Sequence, residues 1–238
     1  MDNAMLGRWR PGDILRDVQQ RQVHVPLETV QARGAHCALS HRENLVHSPG
    51  CSVCATVSNP RDLAIARTAG VPCVVSNDYT PVEGEDPWCP DMSLVPVLTS
   101  YQLHEHRAAG TSAVFIPAAW TMESQLVGLV ERAFSLGLYP LVGVGCIREV
   151  HAAHAAGARA IATDVVTAPQ LQETVEELGL VTTIIGGVAQ PREVLGIARE
   201  GVKTVCVPAR LPDEDDITAV QRLRTCESMG THPAVLFR

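Results

Sequence analysis

A chain of 238 residues that is 46% hydrophobic and 19% charged has enough apolar side chain for one sizeable core. That excludes a disordered chain and fits one large α/β barrel or two small domains. A formal net charge of −7, with no run of Lys or Arg, excludes nucleic acid as a natural partner.

The chain begins MDNAMLGRWRPGDILRD, which lacks the apolar core of a signal peptide, and no apolar run approaches the roughly 20 residues of a membrane span. A cytoplasmic protein with no membrane partner is expected. GDILRDVQQRQVHVPLETVQARGAH then has helical spacing broken by Pro26, which predicts two short helices with the second starting near that proline. Residues 1–47, approximately, read as a helical extension.

From about residue 50 the pattern changes to short apolar runs alternating with helical stretches, most of them closing on Gly. CSVCATV leads into NPRDLAIARTAG, where Asn59 is placed to cap the helix and Pro60 to occupy its first turn. VPCVVS runs into a long loop, NDYTPVEGEDPWCPDMSL. VPVL (Val95–Leu98) meets the helix YQLHEHRAAG after Thr99 and Ser100 alone. AVFIPA, YPLVGVG, ARAIAT, VTTIIGG and KTVCVP follow as strands, each with its own helix. The strands are near-continuous apolar runs, as in parallel sheets buried on both faces. Eight strand–helix units with right-handed crossovers predict a closed (β/α)8 TIM barrel over about residues 50–238, one domain over 1–238, with short loops after the first and third strands. No G-x-G-x-x-G follows the first strand, so a dinucleotide cofactor has no support.

The eight cysteines are scattered, several within apolar strands, and predict reduced, buried thiols rather than a disulfide framework. Cys51 and Cys54 have the spacing of half a zinc site, but on a strand i and i+3 point to opposite faces. His104 and His106, at i and i+2 of a helix, diverge, on a helix read as solvated or as an interface. His151 and His154 share a face on the outside of the barrel. No metal and no cofactor are expected. LPDEDDI, residues 211–217, reads as acidic residues favouring a helix start.

The stretches VPVL…YQLHEHRAAGTSAVFIPAAWTMESQLVGLVERAFSLGLYPLVGV, EVHAAHAAGARAIATD and GGVAQPREVLGIAREGVKTVCV resemble indole-3-glycerol-phosphate synthases, (β/α)8 lyases of tryptophan synthesis. The leading helices also look like that family's extension. The resemblance implies a ring closure with loss of carbon dioxide and water. In that family a lysine serves as general acid, helped by a Glu-x-Lys pair on the first strand, a glutamate on the fifth, an asparagine on the sixth and a Glu-Ser pair on the seventh. Set against this pattern, the acid lysine's loop after the third strand is missing and the first strand offers neither Glu nor Lys. The fifth strand has Gly143, the sixth Asp164, and the seventh Ile185 and Gly186. The only lysine in the chain, Lys203, stands before the eighth strand, on the barrel's N-terminal side. The parent reaction is therefore not expected. The resemblance also implies a phosphate site on the last two loops. Gly186 and Gly187 fit it, whereas Pro208-Ala209-Arg210 replaces a Gly-Ser pattern, losing an amide donor and gaining a guanidinium fork.

The strand ends supply the candidates: Ser58, Asn77, Asp78, Ser100, Trp120, Cys146, Asp164 and Arg210. A carboxylate ending a barrel strand is costly to desolvate without a use, which makes Asp164 the first choice for an acid or base, with a turn cap as the alternative. Asp78 matches a family Asp but also suits a turn. Ser100 and Cys146 complete the catalytic candidates, although a small buried thiol is the commoner reading of a cysteine such as Cys146. Gly186, Gly187, Arg210 and Trp120 are the substrate-binding candidates. For Arg210 a solvated loop charge is the alternative, and for Trp120 a lid over the mouth. The expected partner is a small anionic molecule, aromatic or indole-like, with a homodimer or a pathway enzyme as a protein partner. A non-catalytic scaffold with an apolar patch around Trp88 and Trp120 is the competing expectation.

Overall fold

The computed structural model describes residues 9–36, 50–78 and 90–232. Its eight parallel strands pair in chain order: β1 Ser52–Val57, β2 Cys73–Ser76, β3 Met92–Pro96, β4 Ala113–Pro117, β5 Tyr139–Gly143, β6 Ala160–Thr163, β7 Val181–Ile184 and β8 Thr204–Pro208. The barrel closes where β1 pairs with β8, from Ser52 opposite Thr204 to Thr56 opposite Pro208. The (β/α)8 reading of the sequence is correct.

Continuous apolar runs make these strands because each buries both faces. Val53, Ala55 and Val57 point outward with Val205 and Val207, into a layer completed by α3 (Pro60–Ala69), α8 (Pro191–Arg199) and α9 (Asp216–Gly230). Val114, Ile116 and Val142 do the same against α5 (Glu123–Ser135), α6 (Ile147–Ala155) and α7 (Ala168–Glu177). The alternate residues fill the barrel: Cys54, Cys73, Val75, Met92, Leu94, Ala113, Phe115, Leu141, Ala160, Ala162 and Cys206. Cys51 and Cys54 accordingly lie in different layers. Cys54 is registered with Cys73 on one side and Cys206 on the other, and its thiol interacts with both of theirs. Among the described residues no group of three His, Cys, Asp or Glu side chains is arranged to hold a metal ion.

The loops after β1 and β3 are short. Asn59 caps α3, its side chain accepting from the Asp62 amide at 3.0 Å, so Ser58 and Asn59 alone join strand to helix. The joint after β3 needs a correction. The strand is Met92–Pro96 rather than Val95–Leu98, and α4 (Ser100–Ala109) begins at Ser100, so Val97, Leu98 and Thr99 form the joint. The polar Asp91 and Ser93 hide the start of the strand, and its pairing with β4 shifts register between Ser93 and Pro96. Gln102 shapes the joint: its Oε1 accepts from the Leu98 and Thr99 amides (2.8 and 3.1 Å) and its Nε2 donates to the Pro96 carbonyl (3.0 Å).

The two leading helices, α1 (Pro11–His24) and α2 (Leu27–His36), break at Pro26 as the sequence predicts. They pack on α4. Arg21 reaches Glu105 with two bonds (2.8 and 3.1 Å) and also pairs with Asp17, while the Tyr101 hydroxyl donates to the Val25 carbonyl at 2.8 Å. His104, Glu105 and His106 are all buried. A solvated α4 is thus ruled out in favour of a covered one. Burial lowers the His106 imidazole to about 3. Among the described residues no helix is long and apolar enough to cross a membrane. Residues 79–89, with Trp88 and Cys89, and Cys37 lie outside the described residues.

Candidate functional site

Chemistry in barrels of this kind sits at the C-terminal ends of the strands. Here that face divides into two halves. On the β2–β5 side the strands end in Ser76, Pro96, Pro117 and Gly143, each buried. A Cβ on Gly143 would come within 2.4 Å of the Phe115 ring, so Phe115 already fills the space a larger residue at 143 would take. Trp120 lies in a short 3-10 turn, Ala118–Trp120, after β4. It packs both on the barrel interior and on the cluster that joins Leu98 and Tyr101 to Ile14 and Val18 of α1. It therefore lines the mouth and anchors the leading helices together.

The remaining candidates on this side are dispersed. Asp78 is exposed after β2 and accepts from the Ser76 hydroxyl at 3.0 Å. Ser100 is the exposed first residue of α4 rather than a strand end. Cys146 is the half-buried N-cap of α6, its thiol bonding no helix amide. Beside them a cleft of about 520 Å³ opens between the first turns of α5 and α6, bounded by Thr121, Met122, Arg148 and Glu149.

The β6–β8 side gathers the polar groups on consecutive strand ends. Asp164 follows β6. Its Oδ1 accepts from the Val166 and Thr167 amides (2.9 and 2.8 Å), so it caps the turn into α7, while Oδ2 meets no donor among the described residues. The Val165 amide donates to the Gly186 carbonyl, which ties this turn to the loop after β7. In that loop Gly187 has a φ of +85°, and a Cβ there would lie 2.4 Å from Val165 Cγ1. Glycine is thus required by both conformation and space. The Gly186 and Gly187 amides meet no acceptor among the described residues. Beyond Val188, the Ala189 and Gln190 amides are held by the Glu193 carboxylate (2.9 and 2.8 Å), and these bonds keep that carboxyl below its ordinary value.

After β8, Arg210 is neither a solvated loop charge nor a wholly open one. Its Nε lies 3.6 Å from Asp62 Oδ1 of α3, and its side chain is 30% exposed. Asp62 is buried, and its other oxygen accepts from Asn59 Nδ2 (2.9 Å) and the Ser58 amide (3.3 Å). The loops after β7 and β8 are joined by a residue that the sequence reading missed. Arg222 of α9 makes a two-pronged bond to Glu214 (2.9 Å each) and donates to the carbonyls of Ala189, Pro208 and Ala209 (3.2, 3.0 and 3.2 Å). The signal was available. Arg222 follows Ala219 at i+3 and precedes Leu223 and Cys226, so it sits on the apolar face of α9, and Glu214 belongs to the acidic run read only as a helix start. Asp62 was missed for a similar reason, being hidden inside the α3 capping sequence. Lys203 is exposed just before β8, on the opposite face from these groups.

No protein-family model matches the chain. Among curated proteins it is 35% identical over 149 residues to indole-3-glycerol phosphate synthase 1 of Streptomyces coelicolor, covering 58% of this chain and 54% of that protein. It is 36% identical over 149 residues to the synthase of Kineococcus radiotolerans, with 58% and 53% covered. It is 26% identical over 195 residues to a multifunctional tryptophan biosynthesis protein of Schizosaccharomyces pombe, covering 73% of this chain and 23% of that one. The resemblance to indole-3-glycerol-phosphate synthases is therefore a measured relation over more than half the chain, and the matched part spans about half the length of the curated synthases. Among solved structures the fold is similar to a 4-hydroxy-2-oxoglutarate/2-dehydro-3-deoxyphosphogluconate aldolase (TM-score 0.59, 15% identity, 79% of this chain and 99% of that one). It is also similar to the BexX/CysO complex of Amycolatopsis orientalis (TM-score 0.55, 12% identity, 80% and 92% covered). These structures speak for the fold alone.

Proposed function

We propose that this barrel has changed its reaction relative to the indole-3-glycerol-phosphate synthases it resembles. It binds a small anionic, aromatic or indole-like metabolite at the C-terminal mouth and promotes a cyclisation, elimination or isomerisation. The observation that carries the reading is the grouping on consecutive strand ends of Asp164, the Gly186 and Gly187 amides, and Arg210. Arg210 and the two amides hold the anion. Asp164 Oδ2 gives or takes the proton, while Oδ1 keeps the carboxylate in place. Trp120, half-buried at the mouth, offers apolar surface to a flat ring. Asp78, Ser100 and Cys146 are secondary candidates because nothing brings them to the anion-holding side. The parent mechanism has no ammonium acid on this face, since the chain's single lysine stands at the other.

The test is thermal unfolding in the presence of phosphorylated and carboxylated indoles. A ligand at 100 times its dissociation constant stabilises by about 2.7 kcal/mol, which for a chain of this size raises the midpoint by about 5–10 °C. The rise is expected with wild-type protein and is lost in Arg210→Ala. No shift with any of these ligands defeats the reading, as does an assigned activity that Asp164→Asn leaves unchanged.

One observation favours a second reading, a non-catalytic binding subunit. Met122, Ile147 and Val166 are exposed apolar residues at or just before the starts of three successive helices, α5, α6 and α7. This reading predicts a dimer or a complex with a pathway enzyme. A monomeric elution profile, alone and with such enzymes added, counts against it.

A further inference from the structure

Asp62 and Arg210 face each other across 3.6 Å, too far for a hydrogen bond, and both facing atoms, Asp62 Oδ1 and Arg210 Nε, are buried with no hydrogen-bond partner. Asp62 cannot turn away, because its Oδ2 is held by the Ser58 amide and by Asn59 Nδ2 at the first turn of α3. Nor can the loop that carries Arg210 drift. The Ala209 amide donates to the Thr56 carbonyl at 2.8 Å, and the Pro208 and Ala209 carbonyls accept from Arg222. A carboxylate fixed at the Nε side leaves the Nη1–Nη2 edge of the guanidinium pointing away from it. That edge meets no acceptor among the described residues, and it is the edge that binds two oxygens of one oxyanion at once.

We infer that Asp62 is the positioning residue of the anion site: it fixes Arg210 by its Nε side and presents the Nη edge to a carboxylate or phosphate at the mouth. The inference rests on the anion-binding reading above and adds a residue to it. It also predicts an effect opposite in sign to charge counting. A carboxylate beside an anion site repels the anion, so on charge alone its removal strengthens binding. If Asp62 acts through the orientation of Arg210, its removal weakens binding.

The experiment is isothermal calorimetry with inorganic phosphate and with indole-3-carboxylate, well below the unfolding midpoint, on wild type, Asp62→Asn, Arg210→Ala and the double variant. Asn at 62 keeps an oxygen to accept the Ser58 amide and Asn59 Nδ2, and circular dichroism confirms that each variant is folded. Asp62→Asn is expected to bind about 10-fold more weakly, within the range found for coupled neighbours. Arg210→Ala is expected to abolish binding, and the double variant to match Arg210→Ala. Tighter or unchanged binding in Asp62→Asn, with Arg210→Ala still abolishing it, overturns the positioning role and leaves the anion site standing. Wild-type protein that binds neither probe overturns both.

Discussion

At Gly143 the absence of a side chain leaves room for a ring. Phe115 reaches across from β4 into the volume that a Cβ at 143 would enter, at 2.4 Å. Gly143→Ala is expected to destabilise the barrel by about 1–3 kcal/mol through overpacking, and Phe115→Leu in the same chain to recover part of the loss. Denaturant midpoints of the two variants measure it, and an unaffected Gly143→Ala refutes the contact. The cysteines make a second residue-scale prediction. The hydrogen bond from Cys206 favours a thiolate at Cys54, but donation to Cys73 and burial prevail and hold this thiol well above its ordinary value. The bond to Cys54 and burial do the same for Cys206, and burial raises Cys51 to about 12 and Cys226 to about 11. Iodoacetamide at pH 8 is therefore expected to spare these four in the folded protein and, among the described cysteines, to modify the half-buried Cys146 first, as peptide mapping reads out. The sequence made this much legible, since cysteines inside apolar runs read directly as buried thiols.

Among the elements, α4 and α9 carry the parts of the structure that pattern reading could not reach. His104-Glu105-His106 looks like a polar helix face until its neighbours bury it, Arg21 of α1 meeting Glu105 and Arg132 of α5 lying near His104, and nothing local in the sequence says where the two leading helices will dock. Their docking has a pH signature. The His106 imidazole lies near 3 in the folded protein against about 6.5 unfolded, lowered by burial and then by the charge of Arg21. Above pH 6.5 neither state holds the proton and the fold has its full stability. As pH falls from 6.5 toward 3 the unfolded chain takes up a proton that the folded chain refuses, and stability drops by about 1.4 kcal/mol per pH unit. Glu105, raised by burial against its bonds to Arg21, works in the opposite direction nearer its ordinary range. A His106→Leu variant is expected to lose the slope between pH 6 and 5, measured by urea unfolding. If the slope is unchanged, His106 is not its source. On α9, Arg222→Ala strands Glu214 in a buried site and frees three carbonyls, at a cost of about 3–5 kcal/mol. Glu214→Gln, which removes the charge but keeps an acceptor for Arg222, costs less. Chemical denaturation ranks the two, and the reverse order contradicts the staple. The acidic run before α9 pointed to a helix start, and Asp215 does accept from the Ile217 and Thr218 amides. Glu214, beside it, turns inward instead because Arg222 is there to meet it.

For the molecule as a whole, the barrel was legible because eight short runs buried on both faces, joined through helices, have few other ways to close. The candidate site was only partly legible. Strand ends locate Asp164, Gly186, Gly187 and Arg210, since topology alone sets β6, β7 and β8 side by side. Pattern does not show that Asp164 caps a turn, that Glu193 occupies the Ala189 and Gln190 amides, or that Asp62 of α3 faces Arg210, because each depends on contacts set by the folded structure. The claim on which the rest depends is that this mouth does not run the ring closure of the synthases it resembles. The direct measurement is incubation of the purified protein with carboxyphenylamino-deoxyribulose phosphate, following indole-glycerol phosphate by fluorescence. General acid and base groups contribute about 10²–10⁴-fold each, and positioning errors of an ångström can cost 10²-fold. A barrel without the ammonium acid at its mouth is therefore expected to give no product above the uncatalysed rate, and Ser100→Lys no recovery. Steady turnover by the unmodified protein would contradict the account.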